Sequence, residues 1–128
     1  MANFAAIIAN RGFYYAPHLV RSIGNSGNPL PEFQVKHVTS VDTANFRVAV
    51  DAMENVVNAG TATRARIPGI AVCGKTGSVE NDPLPEHSVF IAFAPKDNPK
   101  IAIAVYVEYS GMGGRAASSI AGLEIGRA

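Results

Sequence analysis

The sequence predicts an α+β fold, and three observations carry that reading. Phe46, Val50, Met53 and Val57 recur at helical steps and form one apolar stripe. From residue 70 the period becomes that of strands. Ile70–Val79, Val89–Ala94 and Ile101–Glu108 are strand-type runs with short connections, which predicts a three-stranded antiparallel meander. After Gly111–Gly114 a helical pattern returns, with Ala116, Ala117, Ile120 and Leu123 on its buried side.

Taken in order, Phe4, Ile7 and Ile8 with Ala5 and Arg11 give a short amphipathic helix, closed by Gly12 as its C-terminal cap. Phe13–Ser40 is interrupted by Pro17, Pro29 and Pro31 and by several Gly and Asn residues. Short extended pieces, Leu19–Ile23 and Phe33–Val38, are expected on either side of a turn at Gly24–Pro31. Asp42 or Thr43 caps the long helix and Asn58-Ala59-Gly60 ends it. Thr61–Pro68, with Arg64 and Arg66, reads as a solvated turn. Asn81–His87, with Pro83 and Pro85, is a loop, and Pro95–Pro99 is a turn.

The last two strands are nearly continuous in apolar character, so both faces of the sheet need cover. Short helices cover one face well and two poorly, which implies partners beyond this sequence. Both ends are also abrupt: the chain opens in a helical pattern and stops at Gly126-Arg127-Ala128. A piece cut from a longer protein is the expectation.

Composition narrows the function classes. The chain is 48% hydrophobic and 16% charged, with a formal net charge of +1, which gives no electrostatic case for nucleic acid or a membrane surface. No apolar run reaches the ~18–20 residues of a membrane span. Met1–Gly12 has neither a basic leader nor a cleavage site and is not read as a signal peptide. The single Cys73 excludes an internal disulfide and a Cys-based metal cluster, and it reads as a small buried strand residue. No metal or cofactor is expected.

The chemical signal is Gly74-Lys75-Thr76-Gly77-Ser78 on the first strand. A cation, two hydroxyls and two glycines on extended backbone make a binder for a carboxylate or an oxyanion, and the glycines allow close approach to backbone N–H groups. The bland reading of a Lys-Thr-Gly triplet is a strand edge with a solvated lysine. Gly69–Thr76 also fits a phosphate-loop pattern as written. However, Ile70–Cys73 is apolar and strand-like where that loop should be, and Gly77, Pro83 and Pro85 leave no helix after it. Gly111-Met112-Gly113-Gly114-Arg115-Ala116 matches a dinucleotide fingerprint only in spelling and is read as a helix N-terminal connection. His87 is expected on the solvent side of a loop beside the cleft, and His18 and His37 are read as structural.

A family resemblance decides between these readings. Gly60-Thr61-Ala62 through Arg66-Ile67-Pro68-Gly69, then Val72-Cys73-Gly74-Lys75-Thr76-Gly77-Ser78, resembles the third signature motif of penicillin-binding proteins with its lead-in. The similarity continues through His87–Pro95 and Ile101–Val105. The opening Met1–Ala6 and Ala9–Gly12, through Pro17-His18, is similar to the helix that precedes this region in class B enzymes of the elongation type.

The resemblance implies the penicillin-binding/β-lactamase-like transpeptidase fold, present in part. Residues 1–128 would be a C-terminal fragment of one transpeptidase domain: helices and turns over 1–68, the sheet with the Lys-Thr-Gly motif over 69–109, and a C-terminal helix over 113–127. It implies acyl transfer in peptidoglycan cross-linking, with Lys75 and Thr76 catalytic and Thr76, Gly77 and Ser78 binding substrate. The partners implied are a peptidoglycan stem peptide and β-lactams, at the periplasmic face of the inner membrane.

The family also needs Ser-x-x-Lys, which holds the nucleophile, and Ser-x-Asn. No Ser here has Lys three residues on. Ser26-Gly27-Asn28 matches the other motif literally but lies in a Gly/Pro turn and is read as coincidence. This chain alone is therefore expected to be inactive. A module that holds a D-Ala-D-Ala-like carboxylate without turnover is the alternative. The family sheet has five strands, so the outer edge of Ile101–Glu108 is expected to be vacant here and to drive homo-oligomer formation.

Overall fold

The computed structural model describes every residue except 21, 23, 25, 26, 112 and 113. In chain order the elements are helix α1 (Ala2–Ala9), strand β1 (Phe13–Tyr14), a 3-10 turn (Pro31–Gln34), strand β2 (His37–Val38) and helix α2 (Thr43–Asn58). A second 3-10 turn (Thr63–Ala65), strands β3 (Cys73–Val79), β4 (His87–Ala94) and β5 (Ile101–Val107), and helix α3 (Arg115–Ile125) follow. The expected meander is present: β3, β4 and β5 form one antiparallel sheet in the order β3-β4-β5.

Side chains alternate across that sheet, so each face has its own core. On one face Phe90, Ala92 and Ala94 of β4 pack with Ala117, Ala121 and Ile125 of α3 and with Ala62 and Ala65 of the second 3-10 turn. On the other, Phe93 and Cys73 meet Ile8 and Ala9 of α1 and Phe46, Val50 and Met53 of α2. The helices thus cover both faces, more fully than their lengths led one to expect. The α2 stripe is buried as its spacing requires, and Asp42 caps the helix by accepting the Ala44 N–H at 2.9 Å.

Four expectations are corrected. First, α3 buries Ala117, Ser118, Ala121 and Ile125, while Ile120 and Leu123 are 41% and 64% exposed. The reason is close approach: a Cβ added to Gly122 would lie 3.0 Å from Ala65 Cα, so the helix presents its small residues to that turn. Second, Gly12 is not the capping residue of α1. Arg11 takes the left-handed position (φ 57), its N–H bonds Ile8 O, and the Gly12 N–H bonds Ile7 O, which is a Schellman closure with Arg11 in the glycine place. Its guanidinium donates to the carbonyls of Ala9 and Lys96, which offsets the conformational cost.

Third, Phe33–Val38 is not one extended piece, because the 3-10 turn that Pro31 opens takes up Phe33 and Gln34. Fourth, β3 begins at Cys73, three residues later than expected; Ile70 instead forms an isolated bridge with Ile67. The Leu19–Ile23 piece, Ser26 and the Gly111–Ala116 run lie partly or wholly outside the described residues.

Candidate active site

β3 carries the motif at the rim of the sheet. Among the described residues only β4 pairs with it, so its outer edge is open. The register sets Lys75 opposite Ile91 and Gly77 opposite Val89, on the α1/α2 face. Thr76 stands opposite Phe90 and Ser78 opposite Ser88, on the α3 face. The motif therefore presents its cation on one face and its two hydroxyls on the other.

The two glycines have different reasons. A Cβ at Gly74 would lie 2.2 Å from Phe90 Cζ, so this residue makes room for a fully buried ring of the core. At Gly77 the nearest atom would be Val89 Cβ at 3.6 Å, an ordinary contact. Packing within the chain does not require glycine at position 77.

Lys75 is exposed, and its ammonium donates to Thr76 O at 2.7 Å. Among the described residues no carboxylate lies within ion-pair distance of it. Thr76 is half-buried. Its Oγ1 is 2.7 Å from Thr61 Oγ1, and a Cβ added to Gly114 would lie 2.4 Å from its Cγ2. Gly114 is the N-cap of α3. The positive end of that helix is thus set against the hydroxyl face of the motif strand. Ser88, 1% exposed, accepts the Ala117 N–H at 3.3 Å and satisfies one of the helix's free N-terminal donors from the neighbouring strand.

His87 is not on a loop; it is the first residue of β4, half-buried and paired in register with Val79. Its Nδ1 accepts the Tyr109 N–H at 3.0 Å, so in the neutral ring the proton is on Nε2. The ring lies 5.3 Å from that of Tyr106 and 5.0 Å from that of Tyr109. Tyr109 has left-handed backbone (φ 52), a conformation that costs a bulky residue on the order of 1–3 kcal/mol and persists where its surroundings fix it. Gly111 N–H bonds Glu86 O at 2.9 Å, a second tie at the same place.

The other singled-out residues stand apart from the motif. Arg64 and Arg66 are exposed, as expected, but the turn that carries them is not wholly solvated, since its Ala62 and Ala65 are buried in the core. His37 stacks on Tyr14 and His18 on Phe33. Cys73 is fully buried, and burial, with the nearby charge of Glu54, pushes its thiol up to about 11, which keeps it protonated and unreactive at neutral pH. Among the described residues no three His, Cys, Asp or Glu side chains group as a metal site. Sequence reasoning missed Gly114 as a support of the motif. Thr61 was noticed only as part of the lead-in.

The motif lies on an edge strand with helices on both faces of the sheet, and no helix starts at Lys75 as a phosphate loop would require. Residues 1–123 match the penicillin-binding protein transpeptidase domain, and the chain belongs to that family. It is 35% identical over 136 residues to the peptidoglycan D,D-transpeptidase PbpA of Mycolicibacterium smegmatis, covering 99% of this chain and 27% of that protein. Against MrdA of Acinetobacter baumannii, also a peptidoglycan D,D-transpeptidase, it is 30% identical over 138 residues, covering 91% and 20%.

Among solved structures, it is similar to the D,D-transpeptidase domain of a peptidoglycan glycosyltransferase from Eggerthella lenta. The TM-score is 0.81 at 30% identity, over 97% of this chain and 30% of that one. Penicillin-binding protein A from M. tuberculosis, solved as an imipenem acyl-enzyme complex, gives 0.79 at 28% identity over 98% and 29%. The chain thus has a partial penicillin-binding transpeptidase fold and spans about a quarter of the length of the curated relatives it matches. These likenesses do not favour the non-catalytic module.

Proposed function

We propose that this chain forms the β3 wall of a peptidoglycan D,D-transpeptidase active site, and that Lys75, Thr76, Gly77 and Ser78 are its contribution to acyl transfer. The observation that carries the reading is the position of the motif: Lys75–Ser78 lies on a rim strand whose outer backbone edge is open, in a chain of this family. In the reaction, a serine Oγ supplied from outside this sequence attacks the peptide carbonyl. The C–N bond to D-alanine breaks, that amine leaves with a proton, and the amine of a neighbouring stem peptide takes the acyl group and releases the serine.

Lys75 holds positive charge where the substrate carboxylate and the transferred protons are handled. Thr76 and Ser78 donate to that carboxylate, and the Ser78 N–H stabilises the oxyanion. Gly77 keeps the strand open to the ligand. β-Lactams acylate the same serine, and support comes from relatives solved as acyl-enzyme complexes. On the same reading the full-length protein works at the periplasmic face of the inner membrane, in wall elongation and cell shape. The free chain self-associates through the open β5 edge. No helix of the described residues is long and apolar enough to cross a membrane.

The test is acylation by a fluorescent penicillin. In the full-length transpeptidase Lys75→Ala slows acylation by on the order of 10²–10³, the usual cost of one preorganised charge contact, while the thermal melt stays near that of the unsubstituted enzyme. A rate within about threefold of the unsubstituted enzyme overturns the role given to Lys75. The 128-residue chain by itself gives no covalent band.

A further inference from the structure

Two residues far from Thr76 in sequence touch its side chain directly. A Cβ added to Gly114 would lie 2.4 Å from the Thr76 methyl carbon, so no side chain fits on that side. On the other, Thr76 Oγ1 is 2.7 Å from Thr61 Oγ1. Thr61 is anchored through its neighbour. Ala62 is fully buried, its N–H bonds Val56 O at 3.0 Å, and its carbonyl accepts the Ala65 N–H at 2.9 Å. The Thr61 hydroxyl thus reaches the motif from a fixed stretch of backbone.

The two hydroxyls carry one proton each, and only one proton can lie between the oxygens. In the free chain either residue can be the donor. A bound carboxylate removes that freedom, because it only accepts. When Thr76 gives its proton to the carboxylate, its Oγ1 has only lone pairs left to offer, and Thr61 has to donate. The order becomes Thr61 O–H to Thr76 Oγ1, then Thr76 O–H to the ligand, a chain in which each bond polarises the next.

The pair is exposed, so Thr61 is not needed merely to satisfy Thr76. A water in its place has to be ordered as the ligand binds. A hydroxyl on anchored backbone is already in position.

We propose that Thr61 is a positioning residue of the site: with ligand bound, its hydroxyl donates to Thr76 Oγ1 and aims the Thr76 proton at the substrate carboxylate. The inference rests on the transpeptidase reading, which supplies the carboxylate.

Two substitutions separate the donor from the shape of the side chain. Thr61→Val keeps the size and removes the hydroxyl, while Thr61→Ser keeps the hydroxyl and removes the methyl. The probes are penicillin G, a carboxylate, and its carboxyl methyl ester, which offers Thr76 only a neutral acceptor. Acylation of the full-length transpeptidase by each is followed by the mass of the acyl-enzyme. T61V slows acylation by the acid about fivefold, the usual worth of one hydrogen bond, and T61S restores most of that loss. The ester acylates T61V within about twofold of its rate on the unsubstituted enzyme. Thr61 is exposed, so both variants melt near the unsubstituted enzyme.

Acylation of T61V by the acid at the unsubstituted rate overturns the proposal. An equal loss for acid and ester also overturns it, and assigns the effect to the shape of the site. Failure of T61S to restore the rate overturns it as well, and assigns the effect to the methyl. Each of these leaves the transpeptidase reading standing, because the enzyme still forms its acyl adduct and Lys75→Ala still slows it. A full-length protein that takes no penicillin at all overturns both.

Discussion

A methyl group at position 74 would meet Phe90 Cζ at 2.2 Å, whereas one at position 77 would meet nothing closer than 3.6 Å. The two glycines of the motif therefore respond differently to the same substitution. Gly74→Ala forces the buried Phe90 ring to move and lowers stability by about 1–3 kcal/mol, seen as a lower urea midpoint at unchanged slope. Gly77→Ala leaves the midpoint unchanged or raises it, since alanine is the better strand residue by roughly 0.5–1 kcal/mol. On the proposed function it is nonetheless expected to slow acylation in the full-length enzyme, where the added methyl would meet the approaching ligand. A Gly77→Ala enzyme that acylates at the normal rate would show that this glycine is not kept for the ligand. The motif itself was legible in the sequence because its chemistry is concentrated in five adjacent residues. Its supports were not: Thr61 and Gly114 reach Thr76 from 15 residues upstream and 38 residues downstream, and no local pattern records either contact.

Between elements, the strongest electrostatic tie lies away from the motif, where the β4–β5 turn meets α2. Lys96 Nζ is 2.6 Å from Asp51 Oδ1 and 2.7 Å from Glu54 Oε2, and its carbonyl accepts from Arg11 at the end of α1. The hydrogen bond from Lys96 holds the Asp51 carboxyl below its ordinary value, and the bonds to Asp51 and then Glu54 hold the Lys96 ammonium above its own. A depressed carboxyl stabilises the fold above its ordinary value of about 4 and loses that contribution as pH falls through the folded value. A raised ammonium stabilises below about 10 and loses its contribution as pH rises beyond that. Lys96→Met therefore melts below the unsubstituted chain between those limits, and the two melting curves converge as pH is lowered through the carboxylate range. A gap that persists in acid would assign the effect to packing by the lysine stem. Sequence periodicity placed α2 well, because its apolar spacing admits one face, and it located the three strands in order, although β3 starts three residues later than its apolar run. It failed for α3, where Ala116, Ala117, Ile120 and Leu123 and the observed Ala117, Ser118, Ala121 and Ile125 are both helical stripes. Close approach to the turn at Ala62–Ala65 selected the smaller one.

At the scale of the whole molecule, the sheet has two rims. β5 pairs only with β4 among the described residues, carries neither Pro nor Lys, and leaves Tyr106 44% exposed. Such an edge invites a second copy, and light scattering at micromolar concentration is expected to give a dimer mass or larger. A clean monomer with a cooperative melt would show that the edge is protected. The vacancy was legible from the family's strand count, whereas the cover on both faces was underestimated because small residues let α3 settle unusually close. The other rim has a different consequence. β4 is laddered on both sides and holds Phe90, Ala92 and Phe93 fully buried, so local opening is hardest there and becomes easier outward. Lys75–Ser78 is attached to that rigid strand by one ladder alone. A ligand that pairs along its free side turns a fraying margin into interior and stiffens the strand as it binds, without displacing any strand already in place.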